Sequence, residues 1–175
     1  MKLIVLMLAA LMVAPVLAAE PLGFKGHSIG TSSVAVTRDP RFDCRVVRAP
    51  TADQVCSLRP KEQETIAGAR VASLYYFYDQ ARLTGITISL PESHFQAVAQ
   101  ALEAKYGPAQ TSVEAVKNLK GDSFENRTLT WRQGEARLQF QRYAGRLDQS
   151  LLKLNDEAAA ERIRQRRSRD PGQDL

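Results

Sequence analysis

Alternating and clustered apolar residues divide the middle of the chain into strands and helices. Residues 71–78 are rich in aromatic and branched side chains and predict a strand, and residues 83–90 alternate between apolar and polar side chains after a short turn. The alternation slips by one residue at Gly85, which indicates a β-bulge. Together, the two segments predict an antiparallel hairpin.

The strongest helical pattern covers residues 90–106. Ser89 and Glu92 have the spacing of a capping box, and Gly107 followed by a proline is a typical helix end. Apolar residues recur at steps of three and four and predict one buried face, formed by Phe95, Val98, Ala99, Leu102 and Tyr106.

Weaker patterns extend this arrangement in both directions. Residues 32–38 predict a short helix, which is followed by an irregular stretch around the two cysteines. Strands are expected at residues 111–117, 127–132, 138–140 and 150–154, and a helix from Asp156 onward. The expected fold class is α+β, with helices packed on one face of an antiparallel sheet. Residues 19–155 form this domain, either as a tandem helix-plus-meander repeat (24–90 and 91–155) or as one continuous unit.

The first 18 residues have the pattern of a secretory signal peptide. Lys2 precedes about a dozen apolar residues, and small residues follow, so that cleavage is expected after Ala18. The apolar run is shorter than the roughly 20 residues that span a bilayer, and a permanent anchor is therefore the weaker interpretation. The protein is expected to be exported, to a bacterial periplasm rather than fully outside the cell.

Cys44 and Cys56 are the only cysteines of the chain. In an oxidising compartment an exposed free thiol is reactive, so we expect a structural disulfide between them. A redox-active pair usually has closer spacing. A metal site would need further ligands, and the nearest histidine is His27. Neither a metal nor a cofactor is expected.

The composition is that of an ordinary globular protein, with 44% hydrophobic and 25% charged residues and a net charge of +5. The basic excess is local, because five arginines lie within residues 162–169 of the helical tail, 156–175. Without interleaved aromatic residues, this segment is poorly suited to nucleic acid. The candidate binding residues of this segment are Arg162, Arg164, Arg166 and Arg167. They are expected to bind an anionic membrane surface or an acidic partner, and the alternative is a solvated helix end without a partner.

Candidate catalytic chemistry is sparse. His94 follows Glu92 and Ser93, but adjacent helical positions point in different directions and do not form a relay by themselves. Glu62 and Glu64 lie in a polar stretch and are expected to be solvated. Neither a two-histidine metal motif nor a phosphate-binding loop occurs. The protein is expected not to be an enzyme, and an activity centred on His94 is the less favoured alternative.

The four aromatic residues from Tyr75 to Tyr78 alternate between the two faces of the predicted strand. We expect Tyr76 and Tyr78 to point outward and to contact a partner, because their hydroxyl groups tolerate water and tyrosine is common at interfaces. The alternative is that all four side chains pack against neighbouring strands.

Several segments resemble small exported bacterial proteins with the β-lactamase-inhibitor-protein-like fold, which is also seen in the small lipoprotein of the outer-membrane β-barrel assembly machine. The resemblance covers residues 24–155 and is carried by residues 24–31, the cysteine pair, the aromatic hairpin and Lys105-Tyr106-Gly107-Pro108. The chain lacks the lipobox of that lipoprotein. The resemblance implies binding of an envelope protein through an open sheet face, by an inhibitor or an assembly accessory.

Overall fold

A computed structural model describes residues 20–49 and 51–169 of the chain, so the expected signal peptide at 1–18 lies outside the described residues. Half of the structure is strand and about a fifth is helix. The strands are β1 (Gly23–Phe24), β2 (His27–Ser28), β3 (Phe42–Ala49), β4 (Ala52–Leu58), β5 (Thr65–Ile66), β6 (Ala69–Arg70), β7 (Ser73–Asp79), β8 (Arg82–Pro91), β9 (Gln110–Lys117), β10 (Ser123–Gln133), β11 (Ala136–Gln141) and β12 (Gln149–Asp156).

Eight of these strands form one antiparallel sheet in the order β3-β4-β7-β8-β12-β11-β10-β9. Two four-stranded meanders meet at the centre, where β8 pairs with β12, and β3 and β9 are the two edges. The predicted hairpin is confirmed as β7 and β8, and its register shifts between Phe77 and Tyr78, opposite the slip at Gly85.

The predicted α+β class, with helices packed on one face, is wrong. The molecule is mostly β, and its helices are α1 (Val34–Arg38), α2 (Phe95–Tyr106) and α3 (Ala159–Arg169), with a 3₁₀ turn at Glu92–His94. None of these helices is long and apolar enough to cross a membrane.

The stretch expected to be an irregular disulfide loop forms the paired strands β3 and β4 instead. Cys44 and Cys56 lie directly opposite each other in this pair, and the predicted disulfide joins them. The sequence of β3 shows no clear alternation of apolar and polar residues, because β3 is an edge strand and is exposed over much of its length. Val46, for example, is apolar but 86% exposed.

The start of α2 also differs from the prediction. Ser89 is a buried residue of β8 rather than a helix cap, and the chain enters α2 through Pro91 and the 3₁₀ turn. The predicted end is confirmed: Gly107 has a φ of 81°, and its N–H donates to the carbonyl oxygen of Glu103 at 2.8 Å.

One face of the sheet, the core face, carries the hydrophobic core. Its buried side chains alternate along every central strand and include Tyr76, Ile86, Ile88, Leu138, Phe140, Leu152 and Leu154. Helix α2 covers this face, and the ring of Phe95 stacks on that of Phe140 at 4.8 Å. The N-terminal segment is fixed by Tyr106, whose hydroxyl donates to the carbonyl oxygen of Gly23 at 2.7 Å.

Helix α3 lies against the opposite face. Four buried apolar residues fall outside the main core, namely Ala52, Val55, Ala159 and Ile163. Arg167 of α3 donates to the carbonyl oxygen of Ala52 at 3.4 Å, and Arg166 bonds to Asp79 at the end of β7. The helices therefore occupy both faces, because the last helix has its own small apolar contact with β4.

Candidate functional site

Among residues 20–49 and 51–169, the helix that covers the face opposite the core is α3, which lies at one end of it. A row of directly opposed residues crosses all eight strands there: Asp43, Ser57, Tyr75, Thr87, Lys153, Gln139, Thr130 and Gln110. None of these eight residues is buried. A second row follows beside it, in which Ser89 is buried and the other five residues are not: Ser73, Ser89, Leu151, Gln141, Thr128 and Ser112. We call the surface formed by these two rows the open face.

Tyr75 is the only aromatic residue of the open face. Its side chain is 36% exposed, and its ring lies 6.5 Å from that of Phe77. The other members of the two rows are mainly Ser, Thr and Gln, whose side chains can both donate and accept hydrogen bonds. The open face is therefore a polar surface around one aromatic side chain.

Tyr76 and Tyr78, expected to form the partner surface, lie on the core face, and that prediction is wrong. They are 2% and 0% exposed. Tyr76 lies opposite Ile86, and its ring contacts those of His27 at 5.1 Å and Phe42 at 5.5 Å. The register of the hairpin could have shown this, because it places Tyr76 beside isoleucine.

Burial also determines the chemistry of these two phenols. It raises the pKa of Tyr76 well above the ordinary value, and it raises the pKa of Tyr78 to about 12. The hydroxyl of Tyr78 has no hydrogen-bond partner within the described part of the chain. Both tyrosines therefore belong to the packed core and remain neutral phenols at physiological pH.

The arginines expected to form a free cationic tail are all bonded within the chain. Arg162 pairs with Asp156, and Arg164 pairs with Glu161 in its own helix. Arg166 and Arg167 face the sheet, where Arg166 Nη1 lies 2.8 Å from the Asp79 carboxylate. Helix α3 is consequently docked on the sheet, and three of these four arginines pair with a carboxylate.

His94 and its neighbours do not form a catalytic relay. The hydroxyl of Ser93 lies 3.2 Å from His94 Nδ1, but Glu92 bonds to Arg142, with 2.6 Å between Oε1 and Nε. The carboxylate therefore does not orient the imidazole, which the relay requires. Within residues 20–49 and 51–169, no group of three or more His, Cys, Asp or Glu side chains is arranged to hold a metal ion.

A buried carboxylate that the sequence did not reveal lies near the N-terminal segment. Glu64 is 6% exposed, against the expectation that it is solvated, and it pairs with Lys25 and with Arg41 Nη1 at 2.7 Å. Burial alone raises the pKa of Glu64, but the bonds from Lys25 and Arg41 outweigh this effect and lower it. The cluster ties the segment before α1 to the loop after β4 and is structural.

A pocket of about 470 Å³ opens where the open face meets the start of α3. Its lining includes Phe77, Gly85 and Thr87 from the first meander and Lys153, Asn155 and Arg137 from the second. It is completed by Asp156 and Glu157 just before α3 and by Ala160 of α3. The pocket therefore contains cationic, anionic, polar and apolar groups.

Comparison with known protein families, curated proteins and solved structures finds no match to this chain.

Proposed function

We propose that this protein is a non-enzymatic binding module that is exported to the periplasm and recognises a protein partner through the open face. The observation that carries this proposal is the asymmetry of the sheet. One face holds the core, whereas the row from Asp43 to Gln110 crosses eight strands without one buried residue.

The open face is broad enough to form the centre of a protein interface. Strands lie about 4.8 Å apart, so the first row extends over roughly 34 Å, and the two rows together occupy roughly 13 Å along the strands. The resulting surface of roughly 450 Å² is about half of the roughly 800 Å² that one partner contributes to a standard interface, so a protein partner would also contact residues beside the two rows. Tyr75 lies on this surface, and tyrosine supplies a large contact area at low entropic cost.

Export is supported by the disulfide. The bond between Cys44 and Cys56 persists in an oxidising compartment, which agrees with the signal-peptide pattern of the first 18 residues. An inhibitor and an envelope-assembly accessory both belong to this class of exported binding protein, as the resemblance to the β-lactamase-inhibitor-protein-like fold implies.

The two alternatives have less support. A tail that binds an anionic surface needs free arginines, but Arg162, Arg164 and Arg166 form ion pairs within the chain. An enzyme based on His94 needs an acid to orient the imidazole, and Glu92 bonds to Arg142 instead. We therefore advance neither.

The experiment is capture of partners from an envelope extract, with Tyr75→Ala and Val46→Ala compared with the wild type. Both positions are exposed, but Tyr75 lies on the open face and Val46 on the edge strand β3. We expect a captured protein to be lost with Tyr75→Ala and kept with Val46→Ala. Equal capture by all three proteins contradicts the proposal, and loss only on deletion of residues 162–175 favours the tail.

A further inference from the structure

We infer that the pocket beside α3 binds a carboxylate group attached to an apolar body. The pocket adjoins the open face and shares Thr87 and Lys153 with it, but the inference does not require a protein partner on that face. It rests on the shape of the pocket, on its charges and on two incompletely bonded cations.

The floor of the pocket is a row of residues that crosses the middle of the sheet. Phe77, Gly85, Asn155 and Arg137 are directly opposed on four neighbouring strands. Gly85 is closely surrounded, because an added Cβ would lie 3.1 Å from the carbonyl oxygen of Leu154. The pocket above this row has a volume of about 470 Å³, which lies within the range of small-molecule sites.

The charge around the pocket is positive. Its lining contains the carboxylates of Asp156 and Glu157, and both are already engaged. Asp156 pairs with Arg162, while Glu157 pairs with Arg132 at 2.6 Å and with Arg137 at 3.2 Å. The lining itself holds two cations, Arg137 and Lys153, and two anions, so the local excess of about +2 comes from Arg132 and Arg162, which pair with these carboxylates from outside the lining.

Two of these cations, Lys153 and Arg137, have N–H groups without a hydrogen-bond partner among the described residues. Lys153 is exposed, and its ammonium group forms no ion pair or hydrogen bond among the described residues. Arg137 bonds to Glu157 through Nη1, but its Nε is buried and has no partner there. A carboxylate can accept from the Lys153 ammonium and the Asn155 amide, and Arg137 stabilises it through its charge.

The same lining selects a carboxylate over a phosphate. A phosphate dianion carries twice the charge of a carboxylate, so Asp156 and Glu157 would repel it more strongly. Only the ammonium group of Lys153, among the groups that line the pocket, is without an ion pair and can offset this repulsion. The ring of Phe77 and the methyl group of Ala160 provide apolar contact for the rest of the ligand. A small aromatic acid therefore matches the pocket better than an inorganic anion.

The test is an NMR titration of the ¹⁵N-labelled protein with sodium benzoate, and with benzamide and sodium phosphate at matched ionic strength. We expect saturable shifts with benzoate at the amides of Gly85, Thr87 and Lys153, and much weaker effects with benzamide. Lys153→Gln should weaken benzoate binding about tenfold, as expected for loss of one hydrogen bond to a charged group.

Lys61→Gln is the matched control, because it removes the same charge at a distant position. Thr51, which lines the pocket, precedes β4, whereas Lys61 follows the other end of that strand. Benzoate affinity that is equal in Lys153→Gln and the wild type overturns the inference, as do equal shifts with benzamide or tighter binding of phosphate. Folding of both variants is checked by their unaffected amide resonances.

The carboxylate could belong to a free small acid or to an acidic side chain of a partner. Addition of a captured partner distinguishes them: displacement of benzoate assigns the group to the partner, and retained benzoate assigns it to a free acid. Failure of the benzoate titration leaves the Tyr75 experiment unaffected, so the two proposals fail separately.

Discussion

Arg166 of α3 bonds to Asp79 at the end of β7, with Arg166 Nη1 2.8 Å from Asp79 Oδ2. Eighty-seven residues separate them in the chain. The Asp79 side chain is 12% exposed, so the pair lies partly away from water and joins the C-terminal helix to the open side of the sheet.

Breaking this ion pair should loosen α3. We expect Arg166→Gln to increase hydrogen exchange of the α3 amides and to lower the free energy of unfolding by about 1 kcal/mol, since the pair is only partly buried. Arg164→Gln is the control, because Arg164 pairs only with Glu161 of its own helix. Equal exchange in the two variants would show that the Asp79 contact does not hold α3.

Tyr75 and Tyr76 are neighbours in the chain with opposite environments. Tyr75→Ala should leave the fold intact, because the residue is 36% exposed, whereas Tyr76→Ala removes a fully packed ring and should cost about 3–5 kcal/mol. Urea unfolding followed by the fluorescence of Trp131, the only tryptophan and 5% exposed, measures both changes. A larger loss for Tyr75→Ala would reverse the assignment of the two faces.

Removing the hydroxyl of Tyr78 should stabilise the protein. The group is buried without a hydrogen-bond partner in the described chain, so Tyr78→Phe avoids a desolvation cost of about 1–3 kcal/mol. Thermal unfolding of the two proteins side by side measures the difference. A lower melting temperature for Tyr78→Phe would mean that the hydroxyl makes a stabilising bond.

The Glu64 cluster should make stability depend on acid. The pKa of Glu64 is lowered in the folded protein by Lys25 and Arg41, against burial, so the unfolded chain binds its proton first as the pH falls. The contribution of Glu64 is present above the ordinary glutamate pKa of about 4.3 and is lost as the pH drops through the lower folded value. Unfolding in urea between pH 7 and pH 3 should show this loss.

Glu64→Gln should be less stable at neutral pH and should have a flatter acid dependence. Glu62→Gln is the control, because Glu62 forms no ion pair within the described residues. If the acid dependence of Glu64→Gln matched that of the wild type, another carboxylate would be responsible for it.

The disulfide should contribute through the unfolded state. Cys44 and Cys56 are 12 residues apart, and the loop-entropy relation gives about 3 kcal/mol for a closed loop of this size. The Cys44→Ser/Cys56→Ser variant should therefore unfold at lower urea, again followed by Trp131 fluorescence. Since the cysteines are already opposed in β3 and β4, the fold itself should persist, as circular dichroism would show.

Local signals predicted the local structure well. The hairpin of β7 and β8 and the end of α2 at Gly107 follow from alternation, helical spacing and glycine chemistry, which act within a few residues. The wrong predictions concern residues whose conformation depends on strands that are distant in the sequence. Strand β3 has no clear alternation because it lies at an edge, and Ser89 matches a capping box but is held in β8 by pairing with Leu151.

The candidate site could be predicted from the sequence less well than the secondary structure could. Alternation shows that Tyr75 and Tyr76 point to opposite faces, but which face is covered depends on the register with β8 and on helix α2. The row that joins Tyr75, Thr87 and Lys153 exists only because β8 pairs with β12, which comes about sixty residues later. The pocket likewise needs α3 to return to the sheet.

The sequence by itself determined the hairpin, the long helix, the disulfide partners and the local position of the basic segment, since these depend on neighbouring residues and on residue chemistry. The tertiary structure alone decided which tyrosines are buried, that Arg166 is neutralised by Asp79, and that Lys153 lies beside a pocket. The physical reason is that burial and ion pairing depend on cross-strand register and helix docking, which bring together residues that no local pattern connects.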